Sequence, residues 1–224
     1  MIKTVLFDLD DTILDFHLSE KKAIARTFID LGIPPDEALL RRYSEINASR
    51  WKLLEKGEIT RQEVLLSRFS ILFSEIGKDL SPSVTNDLYR EHLSEGYDYI
   101  EGAEDMLKNL CKDYNLYIVS NGSTVVQEKR IKGSGVGKYF KDIFISEKIG
   151  HNKPDVEFFD YCFSRIQGFS KETTIIIGDS PSSDILGGKN ASIKTCRFNP
   201  LGEKGEADFL VKSLSEIPAL LKRL

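Results

Sequence analysis

The sequence predicts an α/β protein: a mostly parallel sheet with helices on both faces, interrupted near its start by an all-helical insert. Three observations predict it. From Tyr99 onward, short β-branched apolar runs alternate with helical stretches. A single strand-like run, Ile2–Leu9, stands ahead of them. Between the two lie four helical periodicities with no convincing strand among them. The expected division is an α/β core from residues 1–14 and 99–224, with the helical insert over 15–98.

Each element has a local reason. Ile2–Leu9 is apolar and stops abruptly at acids, the pattern of a buried strand ending in a polar site. The first insert helix runs from about Leu18 to Leu31, with Ile24, Phe28 and Leu31 on one face and Gly32 as its stop. The second begins near Asp36, behind Pro34-Pro35, and carries Leu39, Tyr43, Ile46 and Leu54. The third opens with a capping box, Thr60 to Glu63, and repeats Val64, Leu65, Phe69, Leu72, Phe73 and Ile76 before Gly77. The fourth starts at Ser81-Pro82 and fades at Gly96. In the core, strands are expected at Leu116–Ser120, Ile143–Ser146, Thr173–Asp179, Ile193–Phe198 and Phe209–Val211. Helices are expected around Ala103–Asp113, Thr124–Lys132, Val156–Gln167, Asp184–Asn190 and Ser215–Leu221.

Composition excludes several classes of function. The 224 residues carry 35 acids against 31 Lys and Arg, a net charge of −4, which leaves no electrostatic footprint for nucleic acid or an anionic membrane surface. No apolar run approaches the roughly 20 residues of a membrane span. The first fifteen residues, MIKTVLFDLDDTILD, meet charge at Asp8 and do not suit a signal peptide. Cys111, Cys162 and Cys196 are odd in number and lack metal-like spacing, which fits a reducing cytoplasm. The expectation is a cytoplasmic protein, monomer or homodimer, with neither nucleic acid nor membrane as partner.

In such a sheet ligands bind beyond the carboxyl ends of the strands. The first end is Asp8-Leu9-Asp10-Asp11-Thr12. Asp8 and Asp10 can point the same way while Leu9 packs. Close carboxylates call for a proton or a cation between them, which suits a divalent metal or a split between nucleophile and proton donor; a solvated turn is the plainer alternative. The second end is Ser120-Asn121-Gly122-Ser123, a hydroxyl and turn amides that can hold an anion or merely shape a turn. The third is Lys153-Pro154, where a surface lysine is the ordinary alternative. The fourth is Gly178-Asp179-Ser180-Pro181-Ser182-Ser183-Asp184, in which Asp184 has a second reading as a helix N-cap. Taken in order, an acid pair, a hydroxyl turn, a lysine and a second acid pair describe a metal site ringed by anion-holding groups. Phosphate is the substrate group that fits.

At this point the sequence resembles the haloacid dehalogenase superfamily of aspartate-nucleophile phosphohydrolases. Asp8-Leu9-Asp10-Asp11-Thr12 matches its first motif, Ser120 its second, Lys153 its third, and Gly178-Asp179 through Asp184 its fourth, over a stretch from Ile2 to about Phe198. The resemblance implies a Rossmann-like core and, from the insert's position, a helical cap of the first type. Within the superfamily the sequence looks most like pyrimidine 5′-nucleotidases, through DLDDT, SNG, Lys-Pro-Asp and the GDS-to-ILGG stretch. It implies Asp8 as the nucleophile that forms an aspartyl-phosphate, and Asp10 as acid and then base. It implies Mg²⁺ held by Asp8, the Asp10 carbonyl and Asp179. It implies Ser120, Asn121 and Lys153 as phosphate-binding, with Thr12 and Asp184 as supports. The substrate implied is a small phosphorylated metabolite, a nucleoside 5′-monophosphate foremost. Glu101 stands before Gly102 where the family often has proline.

The same motifs serve other chemistries. A phosphatase for phosphoglycolate or a sugar phosphate, and a sugar phosphomutase, remain open, because cap contacts rather than core motifs separate them. Asp10 argues against haloacid dehalogenation, and the filled chemical positions argue against a non-catalytic phosphoprotein-binding module. Phe16 and His17, just past the first motif, are the candidates for substrate contact. Trp51, Tyr43, Phe69 and Phe73 either stack a base or, as the helical spacing favours, pack the insert. Gly133-Ser134-Gly135-Val136-Gly137 follows a helix rather than a strand and is not a dinucleotide fingerprint.

Overall fold

A strand of apolar residues can lie in the middle of a sheet only if both its faces are covered, and Thr4–Phe7 (β1) is fully buried. In the computed structural model, which describes residues 1–202 and 205–224, the chain forms two compact units. One comprises Met1–Asp15 with Tyr97–Leu224, the other Phe16–Gly96.

The first unit is built on β1, Asn115–Ser120 (β2), Asp142–Ile145 (β3), Thr174–Gly178 (β4), Lys194–Phe198 (β5) and Phe209–Val211 (β6). All five pairings are parallel, in the order β3-β2-β1-β4-β5-β6. The chain winds outward through β2 and β3, then returns to lay β4 on the other side of β1. That reversal opens a crevice at the carboxyl ends of β1 and β4, where doubly wound sheets bind ligands.

Alternation along the strands decides what covers each face. Val5, Phe7, Ile175 and Ile177 face a core that includes Met106 and Leu107 of Ala103–Leu110 (α5, the fifth helix of the chain). Leu6, Val119 and Ile176 face the opposite core, with Phe158, Phe159, Cys162 and Phe163 of Val156–Arg165 (α8). Between these helices in the chain lie Thr124–Ser134 (α6) and a one-turn helix, Ser146–Ile149 (α7).

The second unit holds the first four helices, Phe16–Asp30 (α1), Glu37–Glu55 (α2), Arg61–Glu75 (α3) and Pro82–Leu93 (α4). Their starts are set by capping. Asp36 accepts from Leu39 N–H at 2.8 Å, and Thr60 and Glu63 form the expected reciprocal box. The aromatics pack the unit itself: Tyr43 stacks on Phe69 at 5.4 Å between ring centres, and Phe73 lies 6.1 Å from Phe69. Trp51 is half-buried beneath the Arg61 guanidinium at 5.6 Å. A buried polar chain crosses the bundle: Glu20 accepts from Asn47 and Ser44, both at 2.6 Å, and Arg68 donates to Asn47 at 2.9 Å and Asn86 at 2.7 Å.

Three local expectations are corrected. The first strand ends at Phe7, so Asp8 stands just past it. The helix expected from Asp184 begins earlier, as a π turn over Pro181–Ile185 that runs into Leu186–Asn190 (α9). The strand expected through Ser146 ends at Ile145, where α7 begins. No described helix is long and apolar enough to cross a membrane.

Candidate active site

Sheet register brings the predicted residues to one edge. Phe7 pairs with Ile118 of β2 and Ile177 of β4, and Asp8 N–H donates to Ile177 O at 2.9 Å. Asp8 thus sits level with the tips of both neighbours. It shares the parity of Leu6, whose face is covered by α8, and Lys153 lies just ahead of that helix.

Lys153 Nζ donates to Asp8 Oδ1 at 2.6 Å, Asp184 Oδ1 at 2.6 Å and Val119 O at 2.8 Å. Those three bonds use every hydrogen of the ammonium. The side chain is 1% exposed. Burial works against its charge, but Asp184 and Asp8 outweigh burial and hold the ammonium above its ordinary pKa. The surface-lysine alternative is excluded by this burial. Asp8 itself is driven well above the carboxylate range by burial, with Lys153 opposing and Asp184, Asp179 and Asp10 adding to the rise.

At the fourth strand end, Asp184 is fully buried, and its Oδ2 accepts from Ser180 N–H at 3.1 Å. The N-cap there is Ser180, which accepts from Ser183 N–H at 3.2 Å. The N-cap alternative for Asp184 therefore fails, since the helical turn starts before it and its carboxylate points back to the lysine. Asp179 is pushed up to about 8, chiefly by burial and then by the charges of Asp184 and Asp11. Asp8, Asp179 and Asp184 each offer an oxygen within 4.8 Å of the others. Three carboxylates around one ammonium leave a deficit of positive charge, and an all-oxygen donor set suits a hard divalent cation.

Asp10 faces a different set of partners. Its Oδ2 accepts from Gln127 Nε2 at 2.6 Å, and its Oδ1 pairs with the guanidinium of Arg130. The same Gln127 nitrogen donates to Ser120 Oγ at 2.8 Å, and Gly122 N–H donates to that oxygen at 3.1 Å. With its lone pairs so engaged, the Ser120 hydroxyl keeps its own hydrogen to donate. Asn121 braces the lysine: its amide donates to Lys153 O and accepts from Lys153 N–H, both at 2.8 Å. The side-chain donor expected for an anion is here used on a carbonyl. Thr12 is fully buried. Phe16 and His17 open α1 in the other unit, half-buried and exposed respectively.

Gln127 and Arg130 were not anticipated from the sequence. They are 1% and 0% exposed, three residues apart on α6, so they share one face. The available signal was that α6 has no clean apolar stripe, because its buried face mixes Val126 and Ile131 with these two polar residues. His151, two residues before Lys153, is exposed, and the three cysteines are free thiols.

A doubly wound sheet carrying a lysine-bridged carboxylate cluster at its switch point suits chemistry on an anionic group at a divalent cation. The chain belongs to the haloacid dehalogenase-like hydrolase family, whose model matches residues 5–198. It is 45% identical over 198 residues to YfnB of Bacillus subtilis, described as a HAD-hydrolase, covering 88% of this chain and 84% of that one. The crystal structure of YfnB with magnesium bound superimposes with a TM-score of 0.94 over 98% of both chains, at 41% identity. The chain is 40% identical over 199 residues to the pyrimidine 5′-nucleotidase PynA of Streptococcus pneumoniae, covering 88% and 84% of the two chains. It is 27% identical over 195 residues to the pyrimidine 5′-nucleotidase YjjG of Escherichia coli, covering 87% and 85%. With these relatives it is an enzyme of the HAD phosphatase type.

Proposed function

We propose that the protein is a Mg²⁺-dependent 5′-nucleotidase that hydrolyses small nucleoside monophosphates through an aspartyl-phosphate on Asp8. The observation that carries the mechanism is the triad Asp8–Lys153–Asp184, bonded at 2.6 Å on both sides. Lys153 holds Asp8 by Oδ1 and so fixes the rotation of the carboxylate, while Asp184, fully buried, holds the lysine. A carboxylate attacks phosphorus as the anion, so Asp8, which burial pushes up, relies on the charge of Lys153 and of a bound Mg²⁺ to stay ionised.

The acids Asp8 and Asp179, with the Asp10 carbonyl, would hold Mg²⁺, and Asp184 stands beside them. When bound, the ion supplies positive charge that lets an anionic phosphate approach an anionic carboxylate. Ser120 donates its hydroxyl hydrogen to a phosphoryl oxygen. Lys153 contributes charge beside the transferring group. Asp10 gives its proton to the leaving alkoxide as phosphorus bonds to Asp8, then takes one from the water that attacks the phosphorylated aspartate. The second transfer returns Asp10 to its starting protonation state and frees Asp8.

Support for a nucleotide comes from the DLDDT, SNG and GDS-to-ILGG resemblance and from the two nucleotidase relatives. A phosphate-release panel of pyrimidine and purine 5′-monophosphates, sugar phosphates and phosphoglycolate, with and without Mg²⁺, tests the reading. Highest kcat/KM on a pyrimidine 5′-monophosphate is expected, with activity lost in EDTA. A winner outside the nucleotides overturns the substrate and leaves the reaction class standing.

A further inference from the structure

Asp10 is held by residues that none of the four motifs contains. Gln127 and Arg130 form a closed ring with it: Gln127 Nε2 donates to one carboxylate oxygen at 2.6 Å, the Arg130 guanidinium pairs with the other, and Arg130 Nη1 donates to Gln127 Oε1 at 3.0 Å. Both carboxylate oxygens are therefore fixed in plane and in rotation. The second hydrogen of the Gln127 amide goes to Ser120 Oγ at 2.8 Å. One side-chain nitrogen thus ties the first motif to the second.

The turn ahead of α6 is shaped around this bridge. A Cβ on Gly122 would fall 2.4 Å from Gln127 Nε2 and 2.6 Å from its Cδ and Cγ, so only glycine leaves the amide where it is. Burying an arginine completely is costly unless its charge is paired, and a role in packing alone would be met by an apolar residue at lower cost. Arg130 is among the largest fully buried side chains in the protein.

We infer that Gln127 and Arg130 are positioning residues that aim Asp10 at the leaving-group oxygen, and that Gln127 sets the Ser120 hydroxyl at the same time. The inference rests on the reading of Asp10 as the proton donor. An acid held at both oxygens presents its proton along one direction. Misplacement by about 1 Å is enough to lose on the order of 100-fold in rate.

The test is leaving-group dependence. An alkyl leaving group, as in a nucleoside 5′-monophosphate, needs a proton as the P–O bond breaks; p-nitrophenolate leaves without one. kcat/KM for both substrates is measured in the Mg²⁺-loaded wild type and in Asp10→Asn, Gln127→Ala, Arg130→Lys and Gly122→Ala, with a thermal melt on each. Asp10→Asn is expected to lose about 100-fold or more on the nucleotide and far less on p-nitrophenyl phosphate. Gln127→Ala and Gly122→Ala also release Ser120, which costs both substrates alike, and are expected to lose about tenfold more on the nucleotide than on p-nitrophenyl phosphate. Arg130→Lys keeps the charge but not the planar fork, and is expected to show the same selectivity. Should Arg130→Lys fail to fold, Gln127→Ala and Gly122→Ala decide, since both leave the buried guanidinium in place. Selective loss in Asp10→Asn with equal losses on both substrates in the positioning variants would overturn this inference alone. Equal losses in Asp10→Asn itself would remove Asp10 as the acid and take the inference with it.

Discussion

Adding one methyl group at Gly178 should dismantle the lysine bridge without touching any charged residue. The glycine closes β4 and needs no unusual backbone conformation; its constraint is space. A Cβ there would lie 2.2 Å from Asp184 Oδ2, 2.3 Å from its Cγ and 2.7 Å from its Cβ. Ordinary contact begins at 3.4 Å, so the carboxylate must retreat by about 1.2 Å, the difference between 3.4 and 2.2. It has nowhere to go, since Asp184 is fully buried and bonded to Lys153 at 2.6 Å and to Ser180 N–H at 3.1 Å. Overpacking of this kind costs about 1–3 kcal/mol. For a chain of this length that corresponds to a fall in Tm of roughly 2–12 °C, at about 2–4 °C per kcal/mol. The lysine that holds Asp8 shifts with its partner, and kcat should fall on the order of 100-fold. Differential scanning calorimetry and phosphate release on Gly178→Ala measure both. A variant with wild-type Tm and wild-type kcat would refute the claim that Asp184 positions Lys153.

Two pH predictions follow from the buried acids. Burial pushes Asp179 up to about 8, so near neutral pH a divalent cation competes with a proton for its carboxylate. Burial raises Asp8 as well, so Mg²⁺ added in weak buffer at pH 7 should release protons as it binds, and affinity should rise as pH increases toward about 8; pH-independent binding would contradict this. In the helical unit, burial raises the pKa of Glu20, with its bonds to Ser44 and Asn47 opposing. A raised acid contributes stability that is complete below its unfolded value and lost as pH climbs through the folded one. Glu20→Gln removes that titration and can keep the bonds, because the Ser44 hydroxyl can reverse. The variant should melt no higher than wild type near pH 4 and higher at pH 8, whereas a constant difference across that range would dismiss the effect.

The fold was legible because its signals are local. Apolar runs that halt at acids, a capping box at Thr60 and a proline after Ser81 each act within a few residues, and each element formed where such a signal stood. The motif residues of the core were legible too, since strand tips of a parallel sheet converge whatever the loops do. What stayed hidden depends on partners distant in the chain. Asp10 and Arg130 are 120 residues apart, and Gln127 and Asp10 are 117 apart, so no window of sequence contains either pair. The cap at Ser180 was hidden for a different reason: Ser180, Ser182, Ser183 and Asp184 are all competent caps, and the choice among them is made when Lys153 captures the aspartate.

Phosphorylation of Asp8 is the step on which the proposed mechanism stands. Rapid acid quench of the enzyme with radiolabelled nucleoside monophosphate, followed by peptide mapping, reads it directly. A hydroxylamine-labile label is expected on the peptide containing Asp8, formed within one turnover and absent in Asp8→Asn. Turnover without any protein-bound label, or a label that persists in Asp8→Asn, would contradict it.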